Sequence, residues 1–278
     1  MVLYPGKNNL STILENCLEP TIYNQHMLDE IIEISKSKIK IHIKFDTGMN
    51  RYGIKENELQ SIVDKIKKEK NIILGSIFSH MSSNKMEHQN FSINQMNCFN
   101  RIKSSVANNF DYKIDTHILS SFGIPNFPNC PDSIVRIGFG LYNGILNNPL
   151  DQIGELSTQI AQIKNINRGD SVGYNLGFMA TKKMKIAILP IGYADGLQRS
   201  WGNGKLRFLY DKILVPVVGQ ISMDSCIVDI TEVEKSKEGD NIILFGKNRS
   251  IFDLSKELET IPYEITAGLS KRIHRVFT

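Results

Sequence analysis

Residues 40–53, KIHIKFDTGMNRYG, decide the fold class. Lys40–Phe45 is a short, apolar-rich run of strand type, and the DTGMNRYG that follows is dense in turn-forming residues. Upstream, residues 22–36 (YNQHMLDEIIEISKS) space Met27, Ile31, Ile32 and Ile34 much as a helix does. Downstream the alternation continues, with a helix over Glu56–Lys68, a strand over Ile72–His80 and a helix over Ser92–Asn108. Two further strands are expected over Lys113–Leu119 and Ile134–Gly138. Strands alternating with helices at this spacing predict a parallel sheet or an α/β barrel. The chain opens in VLYPG, which reads as a strand and a turn. The βα-like units fall short of the eight that close a barrel; about three, of roughly 30 residues each, are wanting. The expectation is therefore a partial (β/α)8 barrel of the TIM type that starts in mid-fold.

Near residue 150 the texture changes. From Ser157 onward the strands are short and punctuated by turns, as in MKIAILPIGYADG, KILVPVVGQISMD and GDNIILFG. The chain thus divides into an α/β part, 1–150, the C-terminal portion of a barrel, and a mostly β domain, 151–278. One helix is expected late, over Ile251–Leu258, and a basic segment, SKRIHRVF, follows near the C-terminus.

A chain of 278 residues, 41% of them hydrophobic, can bury one large core or two of medium size. Its net charge of +4 permits anionic ligands, but the basic residues are dispersed and no nucleic-acid-reading motif is present. No stretch approaches the ~20 apolar residues of a membrane span, and the N-terminus shows no basic region followed by an apolar core. Cys17, Cys98, Cys130 and Cys226 are scattered without a CxxC, as expected for reduced thiols of a cytoplasmic protein. No metal site is expected.

Several local motifs carry chemistry, each beside a plainer reading. In Lys44-Phe-Asp46-Thr-Gly48-Met49-Asn-Arg51-Tyr-Gly53, charged residues gather at a strand's C-terminal end, where α/β barrels place their active sites; alone, the turn could be a capped helix start. His80 ends an apolar strand, a place where a lone histidine is usually structural. His117-Ile-Leu-Ser120-Ser121 offers hydroxyls and backbone N–H groups to a phosphate, or simply turn chemistry. Val135-Arg136-Ile-Gly138-Phe-Gly140-Leu-Tyr142 spaces its glycines wrongly for GxGxxG, and an arginine beside a glycine that lets an anion approach is the better functional picture. Tyr174, in VGYN, would ordinarily be packing. PIGYADG (190–196) and GQISMD (219–224) read as tight turns.

In this order, KFDTGMNRYG, the FSH strand end, HxxSS, VRIGFGLY, VGYN, PIGYADG, GQISMD and YEIT–LSKRIHR resemble alanine racemase along nearly the whole chain. The ordered set is far more specific than any member. The resemblance implies a barrel that holds pyridoxal 5'-phosphate (PLP), a β domain, and a head-to-tail homodimer with shared active sites. The implied activity is that of an isomerase interconverting L- and D-alanine, the latter for cell-wall peptidoglycan. Two bases are implied, the PLP lysine and a tyrosine from the other subunit, which is Tyr174 by motif. A phenol of pKa about 10 needs nearby cations to act as a base at neutral pH; the resemblance supplies His80 and Arg136 as the network behind it. It further implies Arg136 at the pyridine nitrogen, Arg51 and the Met223 backbone at the substrate, and Ser121 and Gly138 at the phosphate. Lys44 takes the position of the family's carbamylated lysine, which orients the arginine at position 51.

Departures accompany these matches. The family's AVVKANAYGH-type lysine segment has no counterpart in residues 1–39, and Lys7 is no substitute. Ser120 stands where asparagine is common, Asn50 where glycine precedes the arginine, and Lys271 where some members use a phosphate-binding tyrosine. The chain by itself is therefore expected to lack racemase turnover. The alternatives are a truncated or decayed remnant, or a non-catalytic PLP-binding protein.

Overall fold

The structure, a computed structural model, describes residues 1–83, 85–143 and 153–277. The chain forms two compact units, one spanning Met1–Leu141 and one containing the described residues from 153 onward. The boundary expected between 150 and 151 lies outside the described residues.

In the first unit the elements are α1 (Leu10–Glu15), β1 (Thr21–Ile22), α2 (Gln25–Ile34), β2 (Ile39–Lys44), α3 (Leu59–Lys68), β3 (Ile72–Phe78), α4 (Gln89–Ala107) and β4 (Asp115–His117), with α5 (Gly140–Asn143) at its end. The four strands are all parallel, in the order β1-β2-β3-β4. A monotonic order is that of a barrel arc; a doubly wound sheet reverses at a switch point. Bridges of Val2 to Pro20 and Ser120 to Arg136 extend the arc at both edges. Strands buried on both faces need apolar runs rather than alternation, and Ile41, Ile43, Leu74 and Ile77 supply them. From the helices, Leu28, Ile31, Ile62, Val63, Phe99 and Ile102 complete the core. Each such side chain contributes roughly 1.5–3 kcal/mol by leaving water. α2 begins where Asn24 accepts the Met27 N–H at 2.8 Å, a side-chain N-cap.

Three expectations need correcting. Ile134–Gly138 is not a strand: it meets the sheet through one isolated bridge and the Ile134 N–H to Thr116 O bond, and Ile134, Val135 and Ile137 are exposed. The N–H groups of Thr116 in β4 and of Ile118 just after it are taken by the Ser133 and Asp132 side chains, so no regular ladder forms there. VLYPG likewise contributes only the Val2 bridge, with Leu3 and Tyr4 exposed. The first true strand, β1, was not expected, because two residues after a proline carry no period.

The second unit contains β5 (Leu156–Gln159), β6 (Gln162–Ile166), β7 (Ser171–Val172), β8 (Phe178–Met179), β9 (Met184–Leu189), β10 (Arg207–Tyr210), β11 (Ile213–Pro216), β12 (Cys226–Asp229) and β13 (Asn241–Phe245). Antiparallel pairing builds the sheets β11-β10-β13-β5 and β12-β9-β6 and the hairpin β7-β8. α6 (Ile251–Glu257) lies where expected, capped by Ser250; α7 (Pro262–Gly268) starts with proline in its first turn. The mostly β expectation holds.

Candidate active site

Because β2, β3 and β4 are parallel, the residues that end them share one end of the sheet. Lys44 is the last residue of β2, His80 follows β3, and Ser120 and Ser121 follow β4. The Asp46 turn leaves β2 in a closed loop: Asp46 Oδ1 accepts the N–H groups of Gly48 (3.1 Å) and Asn50 (3.0 Å), and Ile54 N donates to Lys44 O. Gly53, at φ +135°, lies so close that a Cβ would sit 2.5 Å from Asp46 N. Asn50 takes φ 53°, a left-handed conformation that asparagine tolerates, so the glycine-to-asparagine departure fits the turn. Arg51 projects from this loop, exposed, with Nη2 3.5 Å from Tyr4 Oη.

Lys44 is buried, its Nζ 5.5 Å from the Phe78 ring centre and 5.7 Å from that of Tyr4. Burial, together with Arg51 and Arg136, lowers its pKa to about 8. About a tenth of the amine is therefore an uncharged nucleophile at neutral pH, and the rest is cationic.

Arg136 organises the rest. Nη1 donates to His117 Nδ1 (2.5 Å) and His117 O (3.2 Å); Nη2 donates to Ser79 O (2.8 Å), His80 Nδ1 (3.1 Å) and Ile118 O (3.3 Å). The guanidinium lies 5.3 Å over the Phe78 ring, which itself stacks on His117. Burial lowers the Arg136 pKa to about 10, still well above neutrality. A guanidinium only donates, so both imidazoles must accept at Nδ1 and carry their proton on Nε2. Burial and then Arg136 hold both rings neutral, with pKa values lowered to about 4. His80 thus presents an Nε2–H donor on a neutral ring.

From His117 the bonds run away from this end of the sheet. His117 Nε2 lies 3.2 Å from Ser76 Oγ, Ser76 Oγ 2.7 Å from His42 Nδ1, and His42 Nε2 2.7 Å from Glu19 Oε2. A donor-only arginine at one end and an acceptor-only carboxylate at the other give every link one direction, Arg136 to Glu19. Behind His80, Ser79 donates to Phe45 O, Thr47 Oγ1 lies 2.8 Å from Ser79 Oγ, and Gln95 donates to His80 O.

Ser121 is buried after β4, and its Oγ accepts the N–H groups of Gly138 (3.1 Å) and Gly140 (3.2 Å). Nothing lies within 4 Å of a Cβ built on Gly138, so this side of the loop is open. Among the described residues no carboxylate forms an ion pair with Lys44, Arg51 or Arg136. Three cations and a serine hydroxyl beside the open backbone of Gly138 suit an anionic ligand carrying phosphate and carboxylate groups.

In the second unit Tyr174 sits on a one-turn 3-10 segment, 68% exposed. Positive φ at Gly173 (77°), Asn175 (55°) and Leu176 (52°) shapes that turn. It rests beside the 219–223 turn: a Cβ on Gly219 would lie 3.1 Å from Val172 O, and one on Gly177 3.5 Å from the Gln220 side chain. Met223 is exposed, and its carbonyl accepts the Ala194 N–H, tying this turn to PIGYADG. Arg272, from the terminal SKRIHR, pairs with Asp224 (2.8 Å) and Asp195 (3.4 Å) and pins both turns.

The first unit therefore gathers Lys44, Arg51, His80 and Arg136 at one sheet end and joins Ser121 to Gly138; the second brings Tyr174 and Met223 to neighbouring turns. Sequence reasoning left His117, Ser76, His42 and Glu19 without roles. An isolated histidine in an apolar strand gives no signal of its partner two strands away. Arg272 was legible only as part of a matched motif.

Residues 1–145 match the family model described as alanine racemase, N-terminal domain, and residues 153–277 the one described as alanine racemase, C-terminal domain. An alanine racemase of Helicobacter pylori is 30% identical over 99% of this chain and 78% of its own length. That of Clostridium tetani is 34% identical over 96% of this chain and 73% of its own. Among solved structures, the Clostridium difficile alanine racemase aligns with a TM-score of 0.87 at 29% identity, covering 97% of this chain and 73% of the other. A Bartonella henselae alanine racemase with covalently bound pyridoxal phosphate aligns at 0.85 with 26% identity, covering 99% of this chain and 77% of the other.

Proposed function

The chain belongs to the alanine racemase family, and from that premise we propose that its residues serve the interconversion of L- and D-alanine with PLP, in the cytoplasm, to supply D-alanine for peptidoglycan. The observation that carries this reading is the guanidinium of Arg136, which donates to both His80 and His117 and holds the two rings neutral. When bound, PLP supplies the electron sink that lets the α-proton of alanine leave. Ser121 and Gly138 would hold its phosphate. Arg136 would serve its pyridine nitrogen; a guanidinium keeps its proton, so that nitrogen stays an acceptor and the sink stays weak, limiting side reactions. Arg51 would bind the phenolic oxygen and the substrate carboxylate, with Lys44 orienting it once carbamylated. The uncharged amine that Lys44 can offer supports that modification.

Tyr174 is the proposed base on one face, lent by the partner subunit of a homodimer together with the Met223 backbone. Its Oη would take or return the α-proton while the His80 Nε2–H stabilises the phenolate. The base on the other face is the family's lysine, whose segment has no counterpart in these 278 residues. The 278 residues alone are therefore proposed not to racemise.

The test compares two polypeptides given PLP and L-alanine: the 278-residue chain, and the same chain preceded by the lysine-bearing segment of a relative such as the C. tetani enzyme. The first should yield no D-alanine and no borohydride-fixed lysine adduct. The second should turn over, and Tyr174→Phe should cut its rate by about 10²–10⁴. Turnover by the 278 residues alone overturns the one-base part. An inactive extended chain that still binds PLP supports the non-catalytic alternative.

A further inference from the structure

Arg136 occupies a segment with little regular structure of its own. Its residues meet the sheet through the Ser120 bridge, the Arg136 N–H to Leu119 O (3.1 Å) and the Ile134 N–H to Thr116 O (3.2 Å). The rest of the attachment is made by two side chains. Asp132 Oδ2 accepts the Ile118 N–H at 2.7 Å, and Oδ1 accepts from Thr116 Oγ1 (3.1 Å) and from Lys103 Nζ of α4 (2.8 Å). Ser133 Oγ accepts the Thr116 N–H at 2.9 Å. Thr116 and Ile118 are where a neighbouring strand would dock on β4, so these side chains occupy the ladder's places. The Asp132 side chain is 1% exposed, and an unpaired buried carboxylate would be costly; here it is met by a cation, a hydroxyl, an amide and the Cys130 thiol.

We propose that Asp132, assisted by Ser133, is a positioning residue for Arg136: its carboxylate replaces a strand ladder and fixes where the guanidinium meets His80 and His117. This rests on the racemase reading only for its catalytic meaning; the geometry can be tested with no cofactor present. Three residues separate Asp132 from Arg136, and both ends of that span are bound to the same strand edge. Loosening the Asp132 end should let the guanidinium swing from His80 Nδ1, while Lys44 and Arg51 stay on their own elements.

The reporter is His80. Lys44, Arg51 and Arg136 face it, and Arg136 is the largest of these charges in effect. His117 is a poorer reporter, because Asp132 acts on it directly and in the upward direction. In the full chain labelled at histidine, with signals assigned by single replacements, the His80 midpoint is read by NMR in three variants. Burial, the larger cause, stays in place, so Asp132→Ala should raise the midpoint above its value of about 4 without restoring the ordinary imidazole value of about 6.5. Lys103→Met removes the same ion pair but leaves the carboxylate on Ile118 N and Thr116; the melting temperature should fall and His80 should not move. Ser133→Ala, at an exposed position, should move His80 the same way as Asp132→Ala by a smaller amount. A folded Asp132→Ala chain with His80 unmoved overturns the proposal. If that variant does not fold, an unmoved His80 in Ser133→Ala overturns it. Because no turnover is measured, failure here leaves the racemase reading untouched, and failure of that reading leaves this result standing.

Discussion

Arg136 in the first unit and Tyr174 in the second are held in opposite ways. Arg136 donates bonds to two imidazoles and three backbone carbonyls, inside a network that continues to Glu19. Tyr174 is 68% exposed, and its direction is set by the backbone, through a turn with positive φ at Gly173, Asn175 and Leu176 on either side of it. One side chain is fixed by what surrounds it and the other by the peptide that carries it. The difference suits the proposed roles. A group that must remain charged and still can be embedded in acceptors, whereas a base lent to another subunit has to be presented bare.

Breaking the embedded side should cost most. Arg136→Ala strands His80, His117 and the carbonyls of Ser79 and Ile118 without their donor. Urea unfolding should show a loss of about 3 kcal/mol, and Tyr174→Phe should change stability by less than about 0.5 kcal/mol. Equal losses would show that the two residues are not held differently.

Acid should find the same asymmetry. His80 and His117 have folded pKa values near 4 against an ordinary value near 6.5. Between those values the unfolded chain binds more protons, so the stability they confer is full above pH 6.5 and lost as pH falls toward 4. Allowing for partial solvent screening, each contributes roughly 1–2 kcal/mol. Unfolding followed at pH 7, 5.5 and 4 should show that first loss, and His80→Gln should shrink it. An unchanged acid slope in that variant would exclude His80 from the effect.

Two glycines, one in each unit, separate by what surrounds them. At Gly53 a methyl meets backbone at 2.5 Å in a positive-φ turn, so Gly53→Ala should cost about 2 kcal/mol or more. At Gly173 the nearest atom is 3.8 Å away and only the φ of +77° opposes a side chain, so Gly173→Ala should cost about 1 kcal/mol. In the extended enzyme, Gly173→Ala should lower kcat more than it lowers the melting point, since it re-aims Tyr174.

Much of this was legible in advance. Apolar runs that become double-buried strands, such as KIHIKF, and helices with a spaced apolar face, such as α2 and α3, declare themselves because burial acts on local periodicity. Ordered motifs located Lys44, Arg51, His80, Ser121, Arg136, Tyr174 and Met223. The strand ends were less legible. Ile134–Gly138 has a strand's composition, but Asp132 and Ser133 claim the edge it would need.

By itself the sequence determined the parallel α/β texture, the β texture after it, and the residue types at the strand ends, because propensity and periodicity act within a few residues. Only the tertiary structure decided that Arg136 lies between two histidines, that both are neutral with their protons on Nε2, and that a carboxylate on Glu19 terminates the chain of bonds. Protonation and direction in such a network depend on desolvation and on partners from adjacent strands, and neither exists until the sheet has assembled.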